Sequence, residues 1–168
     1  VTAVELAPKL GTEVVITFSG CPGGSKQDKT PNWVTCPWPG DFLDILKYQW
    51  DTVLVPYWAA QAKFSAKHGV RTAWEPHPGF CVYNGETLIK LSELAQKKAG
   101  IKGKPVLGAN LDPSHLFWQG MDPVLVARQL GEAGLLFHVH AKDTELDRHE
   151  GPLNGYLDCK PYGDLQRR

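Results

Sequence analysis

Short apolar runs alternate along this chain with longer stretches of helical periodicity. Buried strands are predicted at residues 14–18, 70–75, 104–111 and 135–140. Helices are predicted at residues 1–10, 41–68, 84–99 and 122–133. Apolar runs of strand length separated by helical patterns are typical of βαβ units around a parallel sheet. The pattern therefore predicts an α/β fold.

Proline and glycine mark the ends of several of these elements. Pro56 falls inside the longest helical stretch, which we expect it to kink or split. Gly100 is a stop signal after one helix, and the pair Asp122 and Pro123 begins another as cap and first helical residue. Residues 21–40 are rich in Gly, Pro, Ser and Asn and predict a long loop that folds over part of the protein. The segment after Asp143 is predicted to be irregular.

The spacing of the last three predicted strands suits successive units of a (β/α)₈ barrel. Such a barrel needs at least ~200 residues, whereas this chain has 168 and supplies about four clear units. We therefore predict a single domain over residues 1–168 with the architecture of a partial TIM barrel.

Composition excludes some functions and leaves others open. The chain has 18 basic and 18 acidic residues and no net charge, which argues against a nucleic-acid partner. It has no apolar run of membrane-spanning length and no visible signal peptide. Its four cysteines form no C-x-x-C pair, so we expect reduced thiols and a cytoplasmic location, with a Cys21–Cys36 bridge as the main exception. A homo-oligomer stays open.

Acidic and imidazole side chains, with one lysine, lie at the carboxyl ends of three successive predicted strands. They are Glu75 and His77, Asp112 and His115, and His138, His140, Lys142 and Asp143. The carboxyl ends of parallel strands meet at one rim, where active sites of such folds form. The convergence predicts a divalent metal site built from Glu75, Asp112 and one of the two strand histidines. A set of ligands rich in oxygen suits Mn²⁺, Mg²⁺ or Co²⁺ at least as well as Zn²⁺.

Both strand histidines face the same side of the predicted strand, because their spacing is two residues. His140 is nearer the carboxyl end and is the better ligand. Taken singly, Asp112 could be a turn cap and Glu75 a salt-bridge partner, so the prediction depends on their occurring together. We assign no site role to His68, which follows a helix, or to His149, which lies in a polar segment.

Four segments resemble the sugar phosphate isomerase/epimerase family of the xylose isomerase-like TIM-barrel superfamily, which also holds inosose dehydratase and endonuclease IV. They are T-F-S-G (17–20), W-E-P-H-P-G (74–79), N-L-D-P-S-H-L-F-W-Q-G (110–120) and H-V-H-A-K-D (138–143). The resemblance implies that the chain covers about strands 4 to 7 of the barrel.

That family binds a divalent metal through Glu, Asp, His and a second Glu. The resemblance matches Glu75, Asp112 and His140 to the first three and His115 to a histidine that contacts substrate. Nothing matches the second Glu, because Glu145 and Glu150 lie too close to the last strand.

The resemblance to the ketose epimerases of the superfamily is incomplete. They place a carboxylate about six residues after the metal Glu and an Arg about six residues after the metal His. This chain has Cys81 and Leu146 at those positions, so the epimerase substrate contacts do not transfer.

The resemblance implies a metal-dependent isomerase or epimerase acting on a sugar or sugar phosphate through an enediolate. Glu75 would double as the catalytic base. The expected substrate-binding residues are His77, His115, Trp118, His138, Lys142 and Asp143. An inosose-type dehydratase and an inactive barrel fragment are the alternatives, and an abasic-site endonuclease is a weaker one. We expect this chain by itself to turn over slowly or not at all.

Overall fold

A computed structural model describes residues 2–157, 159 and 160. Its centre is a four-stranded parallel sheet in which the strands lie in their order along the chain. The strands are β1 (Val14–Thr17), β2 (Arg71–Trp74), β3 (Leu107–Leu111) and β4 (Leu136–Val139). All four predicted strands are confirmed, each shorter than the apolar run that predicted it. β1, β2 and β4 each end one residue before their runs do, and β3 begins three residues into its run.

The helices connect these strands. They are α1 (Thr2–Leu6), which continues as a 3₁₀ turn (Ala7–Leu10), α2 (Asp41–Lys47), a π-helical stretch (Tyr48–Leu54), α3 (Val55–Lys67), α4 (Gly85–Ala99), α5 (Ser114–Phe117), α6 (Pro123–Glu132) and α7 (Glu150–Asn154). The short α5 and α7 were not predicted, since five or fewer residues are too few to show periodicity. The segment after Asp143 is thus not irregular throughout its described part, and residues 158 and 161–168, which the same prediction covers, lie outside the described residues.

The predicted break at Pro56 takes the form of a wider helical turn. The Val55 N–H donates to the carbonyl of Trp50, five residues back. Proline has no N–H for the regular bond to the fourth residue back, and a π-helical turn is one way to accommodate it. The helical course continues from α2 into α3.

The core lies between the sheet and helices α3 and α4. Trp74 of β2 packs edge-on against Trp58 of α3, with ring centroids 4.9 Å apart, and every residue of β3 is buried. The two outer strands are less covered, since Ile16 is 38% exposed and Val139 is 49% exposed. The centre of the sheet is therefore packed much more closely than its edges.

The loop at residues 21–40 is anchored by one buried side chain. Nε2 of Gln49 donates to the carbonyls of Pro22 and Asn32, at 2.7 Å each. Trp33 packs edge-on against Tyr83, whereas Trp38 is 80% exposed. The prediction that the loop folds over the protein therefore applies to its part up to Trp33.

All four cysteines are free, so the structure has no Cys21–Cys36 bridge. The cytoplasmic location expected from them stays a prediction. Within the part of the chain that the structure describes, no helix is long and apolar enough to cross a membrane.

Candidate metal centre

The rim at the carboxyl ends of the strands carries the predicted cluster. Glu75 directly follows β2, and its N–H donates to the carbonyl of Thr17 at 3.0 Å. The His140 N–H donates to the carbonyl of Leu111 at 2.9 Å. These bonds extend the sheet ladder by one residue at each point, so the backbone beneath the cluster is fixed by the sheet itself.

Glu75, Asp112 and His115 form the tightest group at this rim. Each is buried, and one potential ligand atom from each lies within 4.8 Å of the other two. Nε2 of His115 is 3.1 Å from Oε1 of Glu75 and 3.5 Å from Oδ2 of Asp112. The structure therefore brings the two predicted carboxylates together. It also places His115, expected to contact substrate, within reach of the same point.

His140 approaches the same carboxylates from β4. Its Nδ1 is 3.1 Å from Oε2 of Glu75 and 3.8 Å from Oδ2 of Asp112. Nδ1 of His138 instead lies 2.8 Å from Oδ1 of Asn110. The rings of the two histidines are 5.7 Å apart. They lie on the same side of the strand, and only His140 contacts the carboxylates, but its role as a ligand stays a prediction.

Asn110 joins the cluster and was not predicted as a site residue. It is fully buried, and its Nδ2 donates to Oε2 of Glu75 at 3.1 Å. Its Oδ1 faces His138, as described above. A signal was present in the sequence, because Asn110 precedes Asp112 by two residues and so shares its face of the strand. Asn110 thus links the carboxylate of Glu75 to His138 and His140.

Lys142 supplies positive charge beside Asp112. Its Nζ lies 2.7 Å from Oδ2 of Asp112 and 3.2 Å from Nε2 of His115. Ser114 donates to the other carboxylate oxygen, Oδ1, from both its N–H and its hydroxyl. Burial acts to raise the pKa of Asp112, but Lys142, Ser114 and His115 together hold that pKa below its usual value. Asp112 is therefore an anion at neutral pH.

His115 is neutral at the same pH. Burial lowers its pKa to about 4, with help from the nearby His77 and Lys142 and against the opposing effect of Asp112. The rings of His77 and His115 are 4.0 Å apart, so His77 borders the cluster, and its predicted contact with substrate stays a prediction. A neutral imidazole has a free nitrogen lone pair, which metal binding requires.

The remaining predicted substrate-binding residues lie farther out. Trp118 directly follows α5 and is half-buried, and Asp143 is exposed and accepts a hydrogen bond from the Thr144 N–H. Neither has a contact with the cluster among those that the structure describes. Their substrate roles stay predictions.

The residues present fit a divalent cation. Oδ2 of Asp112 is buried, and the Lys142 ammonium lies 2.7 Å from it. A buried carboxylate needs a cationic partner of this kind, and a divalent cation could take the place of the ammonium. Two carboxylates with one or two imidazoles form a set that Mn²⁺, Co²⁺ or Zn²⁺ binds, and Mg²⁺ as well if water completes it.

The fold and the site define a TIM-barrel-type α/β protein with a candidate metal centre. The strands are parallel and sequential, helices lie outside them, and carboxylates and imidazoles cluster at the carboxyl rim. Residues 1–165 match the family model described as xylose isomerase-like TIM barrel. The chain belongs to this family. The match confirms the fold class and the resemblance found in the four sequence segments.

The chain is also similar to individual proteins. It is 42% identical over 168 residues to the uncharacterized protein YfiH of Bacillus subtilis (strain 168), covering 98% of this chain and 50% of the relative. The chain thus spans about half the length of that relative.

Two solved structures share the fold. One is the probable 3-DHS dehydratase AsbF of Bacillus anthracis, with a TM-score of 0.53 and 20% identity over 83% of this chain and 40% of the other. The second is a D-tagatose 3-epimerase-like protein, with a TM-score of 0.54 and 22% identity over 84% of this chain and 45% of the other. At these identities the likeness shows the fold alone.

Proposed function

We propose that this chain carries the metal centre of a divalent-metal-dependent isomerase or epimerase that acts on a sugar or sugar phosphate. The observation that carries the proposal is the group of Glu75, Asp112 and His115, with His140 at its edge, at the rim where this fold places active sites. Membership of the xylose isomerase-like family supports it. We propose further that residues 1–168 are part of a single barrel domain.

Glu75, Asp112 and His140 would hold the cation, and His115 lies close enough to be a fourth ligand. When bound, such a cation binds adjacent substrate oxygens and makes the carbon next to a carbonyl more acidic. Glu75 is the carboxylate available to take the proton from that carbon, since Asp112 is paired with Lys142. The Lys142 ammonium is placed to stabilise negative charge on an enediolate oxygen.

Return of the proton to a different carbon or face needs a second base. Glu145 and Glu150 have no described contact with the cluster, and Glu150 is hydrogen-bonded to Asn154 instead. Glu75 alone can remove and return one proton. We therefore propose that this chain by itself exchanges the substrate proton with solvent faster than it isomerises the sugar.

Metal binding is tested first, by thermal unfolding of the full chain with Mn²⁺, Mg²⁺, Co²⁺ or Zn²⁺. A ligand that binds only the folded state stabilises it. We expect a higher Tm for the unsubstituted chain and no such shift for Asp112→Asn. His68→Gln is the matched control, because His68 bonds the Phe64 carbonyl away from the cluster, and it should keep the full shift. No shift with any of the four cations would overturn the proposed centre.

The reaction is tested by NMR in D₂O with a panel of ketoses, aldoses and their phosphates. We expect deuterium to enter the carbon next to the carbonyl, and Glu75→Gln to abolish this exchange. Release of water from an inositol-like ketone would favour a dehydratase instead. Metal-dependent cleavage of abasic DNA, with binding that weakens as salt rises, would favour an endonuclease. Zero net charge argues against that last outcome.

A further inference from the structure

Two thiols meet where the long loop leaves the sheet, outside the metal centre. Cys21 is the first loop residue, and Cys81 lies between β2 and α4. The Cys81 N–H donates to the Gly20 carbonyl at 3.1 Å. Gly20 has a φ of 89°, a conformation that L side chains rarely adopt, and the chain turns there. The turn brings residue 21 beside residue 81.

Gln49 also links the two positions, since its Oε1 lies 4.0 Å from Cys81 Sγ and its Nε2 donates to the carbonyl of Pro22, the residue after Cys21. Cys21 packs against the core cluster that contains Cys81. A disulfide needs Cα atoms about 4.4–6.8 Å apart. The backbone hydrogen bond between Gly20 and Cys81 holds residues 20 and 81 at strand-like separation, about 5 Å, and so keeps the neighbouring Cys21 close to Cys81. Cys36, the partner first considered from the sequence, is exposed and directs its Sγ to the carbonyl of Trp38. The geometry favours Cys81 over Cys36 as the partner of Cys21.

The two cysteines differ in accessibility and acidity. Cys21 is partly exposed, whereas Cys81 is 6% exposed. Hydrogen bonding from Cys81 lowers the pKa of Cys21 to about 7 against the opposing effect of burial, and the Asn32 N–H adds to the lowering. Contact with Cys21 and burial both raise the pKa of Cys81. Cys21 is thus the nucleophilic member of the pair and Cys81 the protonated one.

We propose that Cys21 and Cys81 form a reversible disulfide in response to hydroperoxides, which fastens the base of the loop to the segment between β2 and α4. The Cys21 thiolate attacks a peroxide oxygen, giving a sulfenic acid and hydroxide from hydrogen peroxide. The Cys81 sulfur then attacks the sulfenic sulfur, and the hydroxyl leaves as water with the Cys81 proton. In sum, two thiols and one hydrogen peroxide give one disulfide and two waters. A dithiol reverses the reaction by exchange.

The disulfide would act on a region that borders the metal centre. Ser19, just before this turn, accepts a hydrogen bond from the Val82 N–H on its hydroxyl and one from the Trp58 indole on its carbonyl. Phe18 stacks on Phe80 and meets His77 edge-on. A covalent bond at positions 21 and 81 would add a fixed link to contacts that the reduced protein already makes.

The test is hydrogen peroxide titration of the full chain, followed by thiol counting and peptide mapping under non-reducing conditions. We expect loss of two of the four thiols and a peptide cross-linked through Cys21 and Cys81, both reversed by dithiothreitol. The Cys36→Ser and Cys159→Ser control variants should keep the cross-link. A Cys21–Cys36 cross-link, or oxidation confined to the exposed Cys36 and Cys159, would overturn the proposal.

Two further measurements separate the steps. In Cys81→Ser, a sulfenic acid should persist at Cys21 and be trapped by dimedone, whereas Cys21→Ser should give no sulfenic acid at Cys81. If Cys81→Ser does not fold, the mapping of the unsubstituted chain still decides the pairing. Oxidation should also slow tryptic cleavage after the exposed loop lysines Lys26 and Lys29 about fivefold or more. An unchanged cleavage rate would contradict the fastening of the loop.

Discussion

The centre and the edge of the sheet hold the candidate site in different ways. Glu75 and Asp112 follow β2 and β3, and their side chains are 8% and 0% exposed. His140 and Lys142 follow β4, and their side chains are 40% and 52% exposed. The carboxylates are therefore fixed by the packed part of the fold, whereas the ammonium and the imidazole that face them come from its less covered edge.

The difference follows from what surrounds each strand. β3 has a hydrogen-bonded strand on both sides and α4 against it, and all of its residues are buried. β4 has one strand neighbour among the described residues and ends in exposed positions. Substitutions at the centre should thus affect folding and site together, whereas substitutions at the edge should affect the site with little change in folding.

The largest loss of stability is expected when an apolar side chain at the centre of the sheet is truncated to alanine, and a truncation at the edge serves as the comparison. Leu107→Ala in β3 removes a fully buried side chain from the core and should cost about 2–5 kcal/mol of unfolding free energy. Val139→Ala in β4 removes a side chain that is 49% exposed and should cost less than about 1 kcal/mol. Urea unfolding followed by circular dichroism measures both.

The two variants should have the same dependence of free energy on urea as the unsubstituted chain, which shows that only stability changed. Similar losses in both variants would mean that β4 is covered as well as β3 in solution. The comparison between centre and edge would then fail.

A second prediction concerns the buried imidazole at the centre of the site. His115 has a pKa of about 4 in the folded protein, against an ordinary value of 6.5. Between these values the unfolded chain takes up a proton that the folded chain does not. Stability should therefore fall as the pH drops from 6.5 to 4, by at most about 1.4 kcal/mol per pH unit from this group, and the group should contribute no pH dependence above 6.5.

The measurement is urea unfolding without added metal across that pH range. His115→Gln should flatten the curve, because the titrating group is gone. His149→Gln should leave the curve unchanged, because the His149 side chain is 86% exposed. A curve that stays equally steep in His115→Gln would assign the pH dependence to other groups.

Some features of the fold and of the site could be predicted from the sequence, and others could not. Strands and long helices were predictable because their apolar periodicity extends over many residues, as in β3 and α4. Glu75 and Asp112 were predictable because parallel strands bring their carboxyl ends to one rim. The two-residue spacing put Asn110 on the face of Asp112, but its link to the β4 histidines depends on the register of β3 and β4. That register shifts between Ala109 and Asn110, and the sequence does not show the shift.

The meeting of Cys21 and Cys81 was also beyond the sequence. The residues are 60 positions apart, and their contact depends on how one loop turns at Gly20. The role of Pro56 shows a related limit. The sequence indicated an irregularity in the helix but not that it takes the form of a π-helical stretch at Tyr48–Leu54.

The smallest effect is expected at two helix caps, one on the central helix α4 and one on the outer helix α6. Asn84 Oδ1 accepts from the Thr87 N–H, and the Thr87 hydroxyl accepts from the Asn84 N–H, which forms a reciprocal capping box. Asp122 Oδ1 accepts from the N–H groups of Val124 and Leu125 without such reciprocity.

Loss of a cap costs about 1 kcal/mol. We expect Asn84→Ala to cost more than Asp122→Ala, because the end of α4 is held in the core through the buried Leu88, whereas Val124 and Leu125 are exposed and the end of α6 can fray. Urea unfolding of both variants, with Asn84→Ser and Asp122→Ser as conservative controls that keep a cap, checks the order. A larger loss for Asp122→Ala would show that the cap of the outer helix matters more to the fold than its exposed first turn suggests.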